Sequence, residues 1–293
     1  MHNRLLVPFD FQEQSKINIE WAKFYAEKTN SEIFLLNVIE KAGFLAELFD
    51  EDIEQKLKEK AYTKLQGFAQ QELKNLKYNI QIRTGKVYEQ IEKFADEIKP
   101  WAILMGRDEN PSLKKHILGS NTLHTISETD IPVISVRGAS LPVDISNTIF
   151  VPIDFKKQFK EQLTAAIEYA KFFSAKIFIF TVNNDESAAW KTNLLLALNK
   201  IRKVIKSNGI DVEIHTETGD IVKNILTYID KQKPLFTIIM LRDEGIFKGY
   251  FIGSVAKNII ENATYPVMSI KPWDIQHDDY TFFKGIIDPL NVF

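Results

Sequence analysis

The chain has no cysteine among its 293 residues. Disulfides, thiolate metal sites and thiol nucleophiles are therefore excluded. It has no surplus of positive charge either, with a formal net charge of −2. A nucleic-acid partner, which needs a basic field, is not expected. No apolar run approaches the ~18 residues of a membrane span, and no signal-peptide pattern opens the chain. The expectation is a cytoplasmic protein without a membrane partner. The five histidines (His2, His116, His124, His215, His277) show no metal-ligand spacing,, so no metal site is expected. There is no Gly-x-Ser-x-Gly elbow, no Walker loop and no Gly-x-Gly-x-x-Gly fingerprint. No catalytic nucleophile–base pair can be named.

What the chain does contain is a long internal repeat. Val7-Pro8-Phe9-Asp10-Phe11 returns as Val151-Pro152-Ile153-Asp154-Phe155, and Ile33-Phe34 as Ile177-Phe178, at one common offset. Thr84-Gly85 returns as Thr218-Gly219, Lys99-Pro100 as Lys233-Pro234, and Pro132-Val133 as Pro266-Val267, at a second, smaller offset. One deletion in the second copy, between its second and third strands, accounts for the change. A repeat of this length is a duplicated domain rather than a solenoid unit. The expected domains are residues 1–140 and 141–273, joined near Gly138-Ala-Ser-Leu-Pro142, with 274–293 as a C-terminal aromatic tail.

Within each copy, apolar strands alternate with helical stripes. Leu5–Val7, Ile33–Val38, Asn79–Ile82, Ala102–Met105 and Val133–Val136 read as strands. Ile17, Trp21, Phe24 and Tyr25 fall on one helical face, as do Val87, Ile91, Phe94, Ala95 and Ile98. In copy two the second helix is shorter, around Ala188–Lys206. This alternation predicts an α/β fold. Each of two tandem doubly wound domains has a five-stranded parallel sheet of order 3-2-1-4-5 with helices on both faces. Such sheets bind ligands at the carboxyl ends of their strands, where the strand order reverses. That point lies between strands one and four, beside Asp10 and Gly106.

The stretch Ala102-Ile-Leu-Met-Gly-Arg-Asp-Glu, a loop with the Asn110-Pro111-Ser112 turn signal, and then Leu-Gly119-Ser120-Asn121-Thr122 is laid out as an anion site. Glycine permits close backbone approach, and the first helical N–H groups point at the ligand. It recurs as Thr237-Ile-Ile-Met-Leu-Arg-Asp-Glu and Ile252-Gly253-Ser254.

On these residues the chain resembles a tandem universal stress protein, with two UspA-like domains at about Arg4–Arg137 and Thr148–Lys271. The family pattern is Gly-x2-Gly-x9-Gly-Ser/Thr. Copy one has Gly106, then Glu109 in place of the second glycine, then Gly119-Ser120. Copy two aligns Leu241 with the first glycine and Glu244 with the second, and brings Gly253-Ser254 one residue early. The resemblance implies an adenine nucleotide such as ATP, with Mg2+ accompanying it. It places the adenosine part at Asp10 and Val38 and the phosphates at Gly119, Ser120, Asn121 and Thr122, with Phe9, Met105, Gly106 and Glu109 completing the nucleotide-binding set. Asp154, Val182, Gly253 and Ser254 make a weaker second site. The glutamate adds bulk and negative charge where phosphate would lie. The alternative is an interaction scaffold with both pockets empty. The family also implies an intramolecular pseudo-dimer through the last strands, Val133–Val136 and Val267–Ile270, which are apolar edges that need cover. The tail, rich in Phe and Ile, packs on the body of the protein or on a second chain, so that a homodimer is one of two outcomes.

Overall fold

A computed structural model describes residues 3–40, 51–107, 119–137, 141–155, 159–241 and 252–272. Glu109, the Asn110-Pro111-Ser112 turn, His116, Gly138 to Ser140, Glu244 and the tail from Trp273 lie outside the described residues. The described residues up to Val143 form one compact unit, and those from Asp144 onward a second.

The first unit runs β1 (Arg4–Pro8), α1 (Glu13–Thr29), β2 (Glu32–Ile39), α2 (Glu51–Glu72), β3 (Tyr78–Thr84), α3 (Val87–Ile98), β4 (Ala102–Gly106), α4 (Ser120–Glu128) and β5 (Val133–Val136). Its sheet order is β3-β2-β1-β4-β5, and each recorded pairing is parallel. The second unit repeats this with β6 (Thr148–Pro152), α5 (Lys160–Phe173), β7 (Lys176–Val182), α6 (Ala188–Ser207), β8 (Val212–Glu217), α7 (Ile221–Gln232), β9 (Phe236–Met240), α8 (Ser254–Asn262) and β10 (Val267–Ile270). Its order is β10-β9-β6-β7-β8, again parallel. Both units therefore have the doubly wound order predicted from the alternation.

The inner strands are apolar without alternation because helices cover both sheet faces, whereas β3 and β8, with Asn79, Gln81, Glu213 and His215, alternate. Leu5, Leu6 and Val7 of β1 are completely buried, and so are Ile149, Phe150 and Val151 of β6. On α1 the residues at helical spacing face the sheet. Trp21 stacks on Tyr25 at 5.9 Å between ring centroids, and Tyr25 meets Trp101 edge-on at 6.0 Å. The Trp101 indole N–H donates to Ser31 Oγ at 3.0 Å, which satisfies that buried donor,. The repeated Lys-Pro dipeptide has a local cause. Lys99 and Lys233 sit at the ends of α3 and α7 with φ of 44° and 50°, in the left-handed region, and donate their N–H back to Ala95 and Ile229. Proline next in the chain stops the helix.

The strand register corrects one expectation. Leu5 lies opposite Ala102 in the first sheet, and Ile149 opposite Phe236 in the second. Gly106 is paired with Val136, and Met240 with Ile270. The structural counterpart of Gly106 is therefore Met240, not Leu241. With Met240 in that place, the same number of residues leads to Gly119 and to Gly253. The second loop is not short, and Gly253-Ser254 is not early. The shared Met-x-Arg-Asp-Glu text pulled the sequence alignment one residue out of the hydrogen-bonded register.

Candidate functional site

Beyond Pro8 the pairing of β1 with β2 ends at Leu36, while β2 continues to pair with β3 through Ile39. The chain leaving β1 turns away at Asp10 and Phe11, and Phe11 takes a left-handed φ of 67°. This opens a crevice at the carboxyl edge, between β1 and β4. Its volume is about 290 Å³. Phe9, Asp10, Val38, Met105, Gly106, Gly119, Ser120, Asn121 and Thr122 all line it. Glu109 lies outside the described residues. Gln14, Ser15, Asn18 and Glu40 also line the crevice and were not singled out in the sequence. A signal for two of them was present, because Gln14 and Asn18 are one helical turn apart on α1.

The local chemistry is already engaged. Ser15 Oγ donates to Asp10 Oδ1 at 2.6 Å, and the Gln12 N–H donates to the same oxygen at 3.0 Å. The Asp10 N–H in turn donates to Ser15 Oγ at 3.3 Å. Asp10 thus closes an Asx-type turn just ahead of α1, whose N-cap is Gln12, while its carboxylate borders the crevice,. The Asn37 amide donates to Phe9 O at 2.7 Å and fixes the strand end. Thr122 Oγ donates to Gly106 O at 3.0 Å, tying the first turn of α4 to the end of β4. The Gly106 N–H meets the Asn18 side-chain oxygen at 3.0 Å. A Cβ added to Gly106 would lie 2.5 Å from Gln14 Cγ and 3.0 Å from the Asn18 amide. Glycine is needed here because α1 packs on it. The sequence reading had put sugar or phosphate in that space.

The second unit has a crevice at the equivalent edge, of about 360 Å³. It brings together Asp154, Val182, Gly253 and Ser254. Gln162, the counterpart of Asn18, donates through Nε2 to Pro152 O at 3.0 Å and to Ile238 O at 2.8 Å, stitching β6 to β9. The Trp190 indole N–H donates to Asn183 Oδ1 at 2.8 Å. Phe180, a wall residue, lies 4.6 Å from Tyr228 and stacks on His215 at 6.0 Å. Behind it stands a cluster that the histidine spacing did not reveal. Tyr228 O–H donates to Glu217 Oε1 at 2.7 Å, and His215 Nε2 lies 2.8 Å from that oxygen. The bonds from His215 and then Tyr228 hold the Glu217 carboxyl below its usual range. The carboxylate pushes the Tyr228 hydroxyl up.

Among the described residues no helix is long and apolar enough to cross a membrane. The universal stress protein family matches the chain twice, over residues 1–137 and 146–271. Universal stress protein MJ0577 of Methanocaldococcus jannaschii is 28% identical over 156 residues, covering 47% of this chain and 96% of that protein. A universal stress protein of Archaeoglobus fulgidus has a similar solved fold, with a TM-score of 0.74 at 23% identity over 92% of this chain and 99% of that one. A structure of an Archaeoglobus fulgidus universal stress protein in complex with dAMP covers 44% of this chain and 100% of that one, at 20% identity and a TM-score of 0.36.

Proposed function

The chain belongs to the universal stress protein family, and on that footing we propose that it acts in a stress response by binding an adenine nucleotide, ATP or a relative, in its first unit. The observation that carries this reading is convergence. Every described residue that the resemblance assigns to the first nucleotide site lines one crevice at the sheet's reversal point,. The phosphate end would meet the first N–H groups of α4, where the helix dipole favours an anion by ~0.3–1 kcal/mol when exposed. Asp10 and Glu40 border the same space. Their charge opposes phosphate, so binding would be weak, and Asp10 and Glu40 would help hold an accompanying Mg2+ that supplies the neutralising charge,. No turnover is part of the proposal.

Calorimetry with ATP and magnesium tests it. One site per chain is expected. Gly119→Val should abolish binding, Glu109→Gly should tighten it, and Gly253→Val should leave it unchanged. Loss on Gly253→Val with Gly119→Val silent moves the site to the second unit. The second reading, a scaffold that binds no nucleotide, is favoured by the side chains of Gln14 and Asn18 in front of Gly106. Absence of ATP binding even in the Glu109→Gly variant would establish it.

A further inference from the structure

The two crevices occupy the same place in the two units, so their walls can be compared position by position. The strand register equates Gly106 with Met240. Helices α4 and α8 both start at a serine after a glycine, with Gly119 at φ −57°, ψ 146° and Gly253 at φ −55°, ψ 152°. Asn121 is therefore replaced by Val255, Thr122 by Ala256 and Thr125 by Ile259. The changes at Asn121 and Thr122 remove crevice side chains that could hydrogen-bond a phosphate, Thr125 being buried and bonded to Asn121 O instead, and Met240 puts a thioether where the backbone was bare. The second wall has moved from polar to apolar around an unchanged glycine-serine start.

Three further observations agree. Ile221 and Val255 are 44% and 39% exposed, and both line the second crevice. A large apolar side chain held open to water at a cavity rim points to something that covers it. The three amides of the wall are already bonded to protein. Gln162 Nε2 serves two carbonyls, and the Asn183 amide serves Trp190 and Asp185. The Asn184 amide accepts the Gly219 N–H and donates to the Gly219 carbonyl. Asp154, Thr181 and Ser254 also line the crevice, and the Asp154 carboxylate opposes an anion, so the rest of the wall offers a ligand apolar contact. Finally, the Trp190 ring on its wall is fixed by its N–H bond to Asn183. A fixed ring favours a flat ligand.

We propose that the second crevice binds an uncharged, flat apolar molecule of fused-ring size and rejects phosphate-bearing ligands. The volume of about 360 Å³ falls in the range of small-molecule sites, roughly 300–1,000 Å³,. The proposal does not rest on nucleotide binding in the first unit, and Gly119→Val separates the two by acting on ATP alone.

The test is a fluorescence titration of the full chain with 1-aminoanthracene, a neutral probe whose emission rises in apolar surroundings. A saturable rise at one site per chain is expected, undiminished by excess ATP and magnesium. Val255→Asn, which restores the first unit's residue at an exposed position, should weaken binding at least about fivefold through the lost apolar contact. Ile221→Asn should do the same. Leu195→Asn, an equally superficial change at a residue 62% exposed and off the crevice, should do nothing. Circular dichroism shows whether each variant is folded. Displacement of the probe by ATP overturns the proposal, as does unchanged affinity in both rim variants. Absence of a saturable signal in the full chain also overturns it, including the case in which residues 273–293 fill the crevice instead.

Discussion

Gly106 is the position where a packing role and a ligand role make different predictions. An alanine Cβ would stand 2.5 Å from Gln14 Cγ, well inside contact distance. Overpacking of this kind costs about 1–3 kcal/mol. Against it stands the stiffer unfolded chain, which gains about 0.4–1 kcal/mol when glycine becomes alanine at an ordinary φ. The single variant Gly106→Ala should therefore lose only about 1–2 kcal/mol. The sharper quantity is the coupling in a double-mutant cycle with Gln14→Ala. The unfolded-state term cancels there, and removal of the Gln14 side chain relieves the clash. We expect a coupling of about 1–3 kcal/mol. The assay is urea unfolding followed by tryptophan fluorescence in a background of Trp190→Phe and Trp273→Phe. The signal then comes from Trp21 and Trp101, both in the first unit. A coupling below about 0.5 kcal/mol, the limit for independent sites, would refute the claim that α1 packing requires this glycine. ATP titration of Gln14→Ala adds a second reading. Tighter binding than in the parent chain is expected if the side chain must swing aside for a nucleotide.

Two other measurements follow from the described contacts. Glu217 is held below its ordinary pKa by His215 and Tyr228, so its contribution to stability is present above about pH 4.3 and is lost as pH falls through the lowered value. Glu217→Gln should flatten the acid limb of a melting-temperature profile, whereas Tyr228→Phe should flatten the alkaline limb above about pH 10, because the raised Tyr228 proton is held more firmly in the fold. Unaltered limbs would show that the cluster does not couple to folding. Separately, pairing of the two units through β5 and β10 belongs to the proposed assembly. Since the chain has no cysteine, single cysteines at Ser135 and Ser269 should form a cross-link within one chain under oxidation, at protein concentrations too low for intermolecular links. Links only between chains would indicate exchange of partners instead.

Much of the architecture was legible from periodicity and repetition. The strands at Val133–Val136 and Val267–Ile270, and the helix starting at Val87, are continuous apolar runs or clear stripes that ask for burial in one way only. The duplicated Val-Pro-x-Asp-Phe marked the ends of two equivalent first strands. Those ends sit beside the reversal point because the doubly wound connection puts strand four next to strand one. Local spacing therefore carried the fold, and the family resemblance named most of the first crevice wall.

Tertiary structure alone decided what those residues do. Hydrogen-bond register, not shared text, matched Gly106 to Met240, since a strand position is defined by its neighbour across the ladder. The demand for glycine at 106 comes from Gln14 and Asn18, which reach it from a helix more than eighty residues earlier in the chain. The change of the second crevice from polar to apolar is present in the sequence as Val255, Ala256 and Ile259. It acquires meaning only when α7, with Ile221, is packed beside α8 to form one wall. Sequence sets which side chains are available and which face of each element they occupy. Contact between elements far apart in the chain is settled by packing, because only the closed fold determines which groups lose water and find each other.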